Sequence, residues 1–154
     1  MAGFDDVLTA LYDLLDAQTD FKNHVSKFDY SKISEDGSTS IVLLPGGFTH
    51  EDETFGGTYA AVWEILVDIY EPYSNNVETD VTTLIKARDT IINLLEQKVY
   101  LGKGFGNSIG IEVADIIEGT RLAAVLAEDE VTVTHLVMSV LLRVRQQSSV
   151  TLET

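Results

Sequence analysis

Two rhythms of apolar residues run along this chain, and they follow one another in a definite order. Phe4, Val7, Leu8, Leu11, Leu14 and Leu15 recur at three- and four-residue spacing, with Asp6, Asp13 and Asp16 between them. This pattern predicts an amphipathic helix over residues 4–18. Asp5 and Asp6 fall in its first turn, where the helix dipole favours anions. The pattern weakens over residues 19–37. There Phe21, Val25, Phe28 and Tyr30 read as an irregular segment laid over the core, with a short helix at 21–27.

The rhythm then changes to a period of two. Residues 40–44 form a short apolar strand that Pro45, Gly46 and Gly47 are expected to stop, and a polar loop follows to Gly57. Residues 59–71 give the clearest strand. Ala61, Trp63, Ile65, Val67 and Ile69 share one face, and Val62, Glu64, Leu66, Asp68 and Tyr70 share the other. Pro72 ends it.

A second helix is expected from Asp80, read as its N-cap, to about Lys98. Val81, Leu84, Ile85, Ile91, Ile92 and Leu95 form its stripe, and Arg88 is the single charge in it. Residues 102–108 alternate glycine with other residues and read as a flexible loop. A strand over 109–118 places Ile111, Val113 and Ile117 on one side. Residues 121–130 fit a helical turn or a loop. A last long strand, 131–147, sets Leu136, Met138, Val140, Leu142 and Val144 toward the core, and His135, Arg143 and Arg145 on the opposite face.

The expected fold is therefore α+β with the order α-β-β-α-β-β. Two layers are expected: a mostly antiparallel four-stranded sheet with two long strands, and helices packed on one face. Residues 1–147 form one domain, and 148–154 form a flexible tail.

Composition narrows the function. The chain has 154 residues, 45% of them hydrophobic, which suffices for a real core. The absence of cysteine removes disulfides, thiolate nucleophiles and thiolate metal sites. The acidic start, Met1 to Asp6, is unlike a signal peptide, and no apolar run approaches the roughly 20 residues of a membrane span. A soluble chain is expected. Ten basic residues against 25 acidic ones leave a formal charge of −15, which opposes binding to a duplex. Solubility, adaptation to high salt, and a negative channel through which DNA slides without adhering all remain open.

Catalytic patterns are weak. His50, Glu51, Asp52 and Glu53 form the densest set of metal-ligand types, but consecutive residues point in different directions and do not converge as in His-Glu-x-x-His sites. Gly102, Gly104 and Gly106 follow a helix and precede a strand, the reverse of a phosphate loop's context. His24, His50 and His135 are scattered, and no Gly-x-Ser-x-Gly elbow occurs. Neither catalysis nor a cofactor is expected.

Strand length carries more information. Strands of 13 to 17 residues would run about 43–56 Å at ~3.3 Å per residue, against a usual 5–6 residues. Part of each must bend, bulge or project beyond its own core, and projecting strands invite another subunit. The outer faces of the two long strands carry opposite charges, Glu64 and Asp68 against Arg143 and Arg145. These form cross-strand ion pairs if the strands are neighbours, or set the register between subunits if they are not. The 46–58 loop, with Phe48, Phe55 and Tyr59 between glycine pairs and Glu51, Asp52 and Glu53 beside them, is a candidate subunit contact.

The helix of residues 5–18, the strand from Tyr59 to Tyr70, the helix from Leu84 to Leu95 and the closing strand 136–145 together resemble the tail terminator (tail completion) proteins of long-tailed phages and related tailed viruses. The resemblance covers nearly the whole chain and is one of element order. It implies a virion protein of the tail and neck, assembled in the host cytoplasm as a homo-oligomer, a hexameric ring on the head-proximal end of the tail tube. Such a ring stops tube polymerisation and offers a surface for head–tail joining. The partners implied are the tail tube protein, a head–tail connector protein, and viral DNA passing the lumen without specific binding. No catalytic or metal residues carry over. The alternatives are another head–tail connector or neck protein, and a small α+β ligand-binding protein or enzyme with its site under the 102–108 loop.

Overall fold

The computed structural model describes residues 3–29, 33, 38–52, 58–107, 110–118 and 122–149, and of residues 48–52, 58–60, 118 and 147–149 only the backbone. The fold is α+β. Among the described residues two helices, α1 (Phe4–Asp16) and α2 (Val77–Gln97), accompany six strands: β1 (Val25–Lys27), β2 (Ser40–Asp52), β3 (Thr58–Pro72), β4 (Ile111–Glu118), β5 (Ala123–Leu126) and β6 (Val133–Ser149). The sheet order is β1-β2-β3-β6-β4, with β5 also on β6. The expected four-stranded antiparallel sheet is thus corrected to six strands in a mixed sheet. β1 pairs parallel to β2 through Val25 and Ile41.

Both amphipathic helices bury one stripe against one sheet face. Val7, Leu8, Leu11 and Leu15 of α1 and Leu84, Ile91 and Leu95 of α2 join a single core. From the sheet that core takes Ile41 and Leu43, Ile65, Val67 and Ile69, and Met138, Val140, Leu142 and Val144, one parity of each strand. The period-two reading of β3 and β6 therefore stands. Trp63 lies at the edge of this core, 5.2 Å from the Phe4 ring, and its Nε1 donates to Oε1 of the buried Gln146 at 2.9 Å.

Several boundaries move, each for a local reason. The turn expected at Pro45 is instead an irregularity between Pro45 and Gly47, through which β2 continues to Asp52. A bulge is where a strand accepts proline. At Gly46 an added Cβ would stand 3.1 Å from Glu64 Cβ and 3.2 Å from its carbonyl oxygen, so glycine lets the strands stay paired. The helix proposed for 21–27 is replaced by turns and β1, and the 121–130 segment contributes β5.

Asp80 is not the N-cap of α2. Asn76 is, accepting from the Thr79 N–H, while the buried Asp80 accepts from the Ser74 N–H and hydroxyl at 2.8 and 2.7 Å. In β4 an irregularity between Val113 and Asp115 reverses the faces, so Ile116 packs toward the core and Ile117 is exposed. β6 runs through Ser149, into the stretch read as a tail; residues 150–154 lie outside the described residues.

Candidate assembly surface

β3 pairs with β6 along its whole length, from Thr58 opposite Ser149 to Pro72 opposite His135. β2 flanks β3 from Ser40 opposite Tyr70 to Asp52 opposite Tyr59. The last large core side chain on β3 in this direction is Trp63. The next two rungs still belong to the buried sheet: Val62 and Ala61 are buried, and β4 flanks β6 as far as Ile111 opposite Gln146. Beyond Ala61 the ladder continues as an arm of three rungs, Thr58 to Ala60, roughly 10 Å at ~3.3 Å per residue. Phe48 lies on β2 opposite Trp63, and Glu51 and Asp52 on β2 and Tyr59 on β3 lie in the arm, so residues 46–52 of the expected loop are strand. Glu53 and Phe55 fall outside the described residues.

Directly paired residues point to the same side of a sheet. On the face opposite the helices, Leu44, Leu66, Leu141 and Ile117 therefore form an apolar row across β2, β3, β6 and β4. The first three are half-buried and Ile117 is exposed. The next rung toward the arm is charged. Arg143 stands between Glu64 of β3 and Asp115 of β4; its Nε donates to Glu64 Oε1 at 3.1 Å, and its Nη1 lies 3.9 Å from Asp115 Oδ2. Arg145 sits two residues on, between Val62 and Glu112.

The structure thus brings Glu64 and Arg143 together, as the opposite signs of the strands implied. It does not bring Asp68 to an arginine. Asp68 lies opposite Ser139, whose Oγ donates to its Oδ1 at 2.6 Å, and Tyr70 OH donates to Oδ2 at 3.4 Å. Buried and held by hydroxyls, Asp68 is part of the sheet's own structure. Arg88 lies partly buried on α2. Its Nη2 is 3.6 Å from Asp89, and its buried Nε has no hydrogen-bond partner among the described residues.

A cleft of about 230 Å³ opens beneath the glycine loop, lined by Tyr100, Phe105 and Asn107 from the loop and by Glu112 and Arg145 from the sheet. Asn107 shapes it. Its amide donates to the carbonyls of Gly104 and Ile111 and accepts from the Ile111 N–H. Gly104 and Gly106, with φ of 85° and 68°, supply the left-handed turns this needs. Phe105 stands edge-on to Tyr100 at 5.8 Å and is 89% exposed. The sequence offered a site under this loop only as an alternative and did not name its far wall, because Glu112 and Arg145 reach it through the β4–β6 register. A lone phenylalanine among glycines was the available signal.

Among the described residues no group of three or more His, Cys, Asp or Glu side chains could hold a metal ion, and no helix is long and apolar enough to cross a membrane. A scan against protein-family models and a search of curated proteins each return no match to this chain.

Proposed function

We propose that this chain is a structural virion protein that assembles as a ring at the head-proximal end of a tail tube, in the manner of a tail terminator. The supporting observation is the β3–β6 ladder, which runs the full length of β3 and carries the β2–β3 pair past the last core rung. A ladder that outruns the core leaves strand edges that a neighbouring subunit would cover. The helix-free sheet face, with its apolar row beside a charged rung, offers a second contact surface. At −15 per chain, a ring with its acids toward the lumen would let DNA pass without adhering. The tail tube protein and a head–tail connector protein are the partners in this reading, and the protein does no catalysis.

Light scattering across a salt series tests it. Subunits this acidic repel at low ionic strength, so a ring, six copies in the family resembled, is expected to form more readily as salt rises. A monomer at every salt concentration, with and without tail tube protein, would count against it. The cleft beneath the glycine loop favours a second reading, a small ligand-binding protein. Its charged groups among the described residues, however, are one arginine and one glutamate, paired on neighbouring strands.

A further inference from the structure

We infer that the outer edge of β5 is the contact for a second copy of this chain, paired antiparallel across a two-fold axis. This contact goes beyond the ring reading and does not rest on it. Leu122 to Ala127 reads Leu-Ala-Ala-Val-Leu-Ala, without a charge or a proline, in a chain of formal charge −15. The segment lies in the open. Ala123 and Ala124 are exposed, and Leu122, Leu126 and the nearby Val131 are 41%, 49% and 80% exposed. Among the described residues β5 pairs with β6 alone, so its other side is a sheet edge. Proteins ordinarily guard such an edge with charge, proline or a bulge. Here the one irregularity, between Val125 and Leu126, falls at the end of the strand.

The backbone of this edge is aimed outward at Ala124. The Thr134 carbonyl accepts from the Tyr73 N–H and therefore faces β3. Alternation along β6 turns the peptide groups of Leu136 the same way, and those of Ala124, opposite Leu136, away from β6. An added strand finds an N–H and a C=O in place there. The charge of the chain selects that strand. A two-fold contact sets each segment against itself, so any charge within it meets its like. Among the described residues every other sheet edge carries charge: Glu112, Asp115 and Glu118 in β4, Lys27 in β1, and Glu51 and Asp52 in the part of β2 that β1 does not cover. Only β5 meets its own copy without that repulsion. With Ala124 on the axis, Leu122 of each copy meets Leu126 of the other. The acidic turns at Glu128, Asp129 and Glu130 then fall at opposite ends of a paired segment about 17 Å long at ~3.3 Å per residue. β5 lies against residues 133–137 of β6, at the far end of that strand from the arm at 147–149, so the contact leaves the arm uncovered.

Charge reversal at position 124 tests the contact, because an exposed side chain there changes without entering the core. Ala124→Asp and Ala124→Lys proteins are studied separately and as an equal mixture. Asn93→Asp and Asn93→Lys, at an exposed position on α2, are the controls. Circular dichroism confirms that each variant folds, and sedimentation velocity at physiological salt follows mass against concentration. The unsubstituted chain is expected to double its mass as concentration rises, from monomer to dimer or from ring to paired ring. Either Ala124 variant alone sets like charges together on the axis and is expected to associate about 10–100-fold more weakly. The mixture sets Asp against Lys and is expected to recover the association, while the Asn93 variants match the parent. An unsubstituted chain that never doubles its mass would overturn the contact. So would a doubling that neither Ala124 variant weakens, or a mixture no better than its components. A six-copy particle showing any of these three results keeps the ring and loses the two-fold, so the two readings fail separately.

Discussion

Arg143 is held between Glu64 on one neighbouring strand and Asp115 on the other, so that three strands share one charged rung on the helix-free face. The Arg143 and Asp115 side chains are 40% and 55% exposed, and solvent screens the rung. Replacing Glu64 with glutamine is expected to cost about 0.2–1 kcal/mol, measured by urea unfolding of the monomer at low salt. The loss should shrink in 1 M salt. A double-mutant cycle with Arg143→Gln isolates the pair from the rest of the rung.

Gly46 and Gly47 face the same residue and should respond differently. A Cβ at Gly46 meets the Cβ and backbone of Glu64, which cannot move without bending β3; at Gly47 it meets the end of the Glu64 side chain, at 3.2 Å from Oε2. Gly46→Ala is expected to destabilise by about 1–3 kcal/mol, and Gly47→Ala by less, because a flexible carboxylate can swing aside. Equal denaturation midpoints for the two variants would remove the close approach at Gly46 as the reason for its identity.

Trp63 is the sole tryptophan and therefore reports on the root of the arm. Phe4→Ala takes away the ring 5.2 Å from it and opens that edge of the core to water. A red-shifted emission maximum and a lower melting temperature are expected, with a cost of about 1–3 kcal/mol for a partly buried aromatic. An unshifted spectrum would mean that α1 does not shield the indole.

Glu71 and Asp129 give opposite dependences on pH. Burial raises the Glu71 carboxyl above its ordinary 4.5; the Thr39 hydroxyl, donating at 2.6 Å, opposes this, Asp80 adds to it, and His135 lowers it. A raised folded-state pKa means that stability is fully present below 4.5 and declines as pH rises through the folded value. Glu71→Gln should therefore be more stable than the parent at pH 8, with the difference closing below pH 4.5, as read by thermal melts.

Asp129 is pulled down to about 2 by the Thr132 hydroxyl first, then by the Thr132 and Val131 N–H groups. Its support for the β5–β6 turn is present above the ordinary 3.8 and is lost as pH falls through about 2. At neutral pH, Asp129→Ala should speed amide exchange at Val131 and Thr132.

Where a single periodicity ran unbroken, reading the chain was enough. α1, α2, β3 and β6 could be placed to within a few residues, and the core parity of the long strands was correct, because burial on one face imposes alternation directly on the residues. The candidate surface was legible in part. Opposite signs on facing strands predicted a pair, and Glu64 with Arg143 is one; Asp68 was missed because hydroxyls from Ser139 and Tyr70 satisfy it instead. Asp80 looked like a cap, but backbone geometry gave that role to Asn76 and left Asp80 to tie down Ser74.

The amino-acid order by itself determined the α+β class, the two helices, the two long strands, the absence of thiol chemistry and the charge of −15. Only the tertiary structure decided that β2 passes through Pro45 and Gly46, that β1 joins in parallel, and that Ile117 turns outward while Ile116 turns in. It alone brought Tyr100, Phe105, Glu112 and Arg145 around one cleft. The division has a physical cause. Local pattern records which side of an element is buried. Bulges, register and the neighbours of a side chain depend on partners far along the chain, and Glu64, which makes room for glycine at position 46, leaves no mark in the residues beside that glycine.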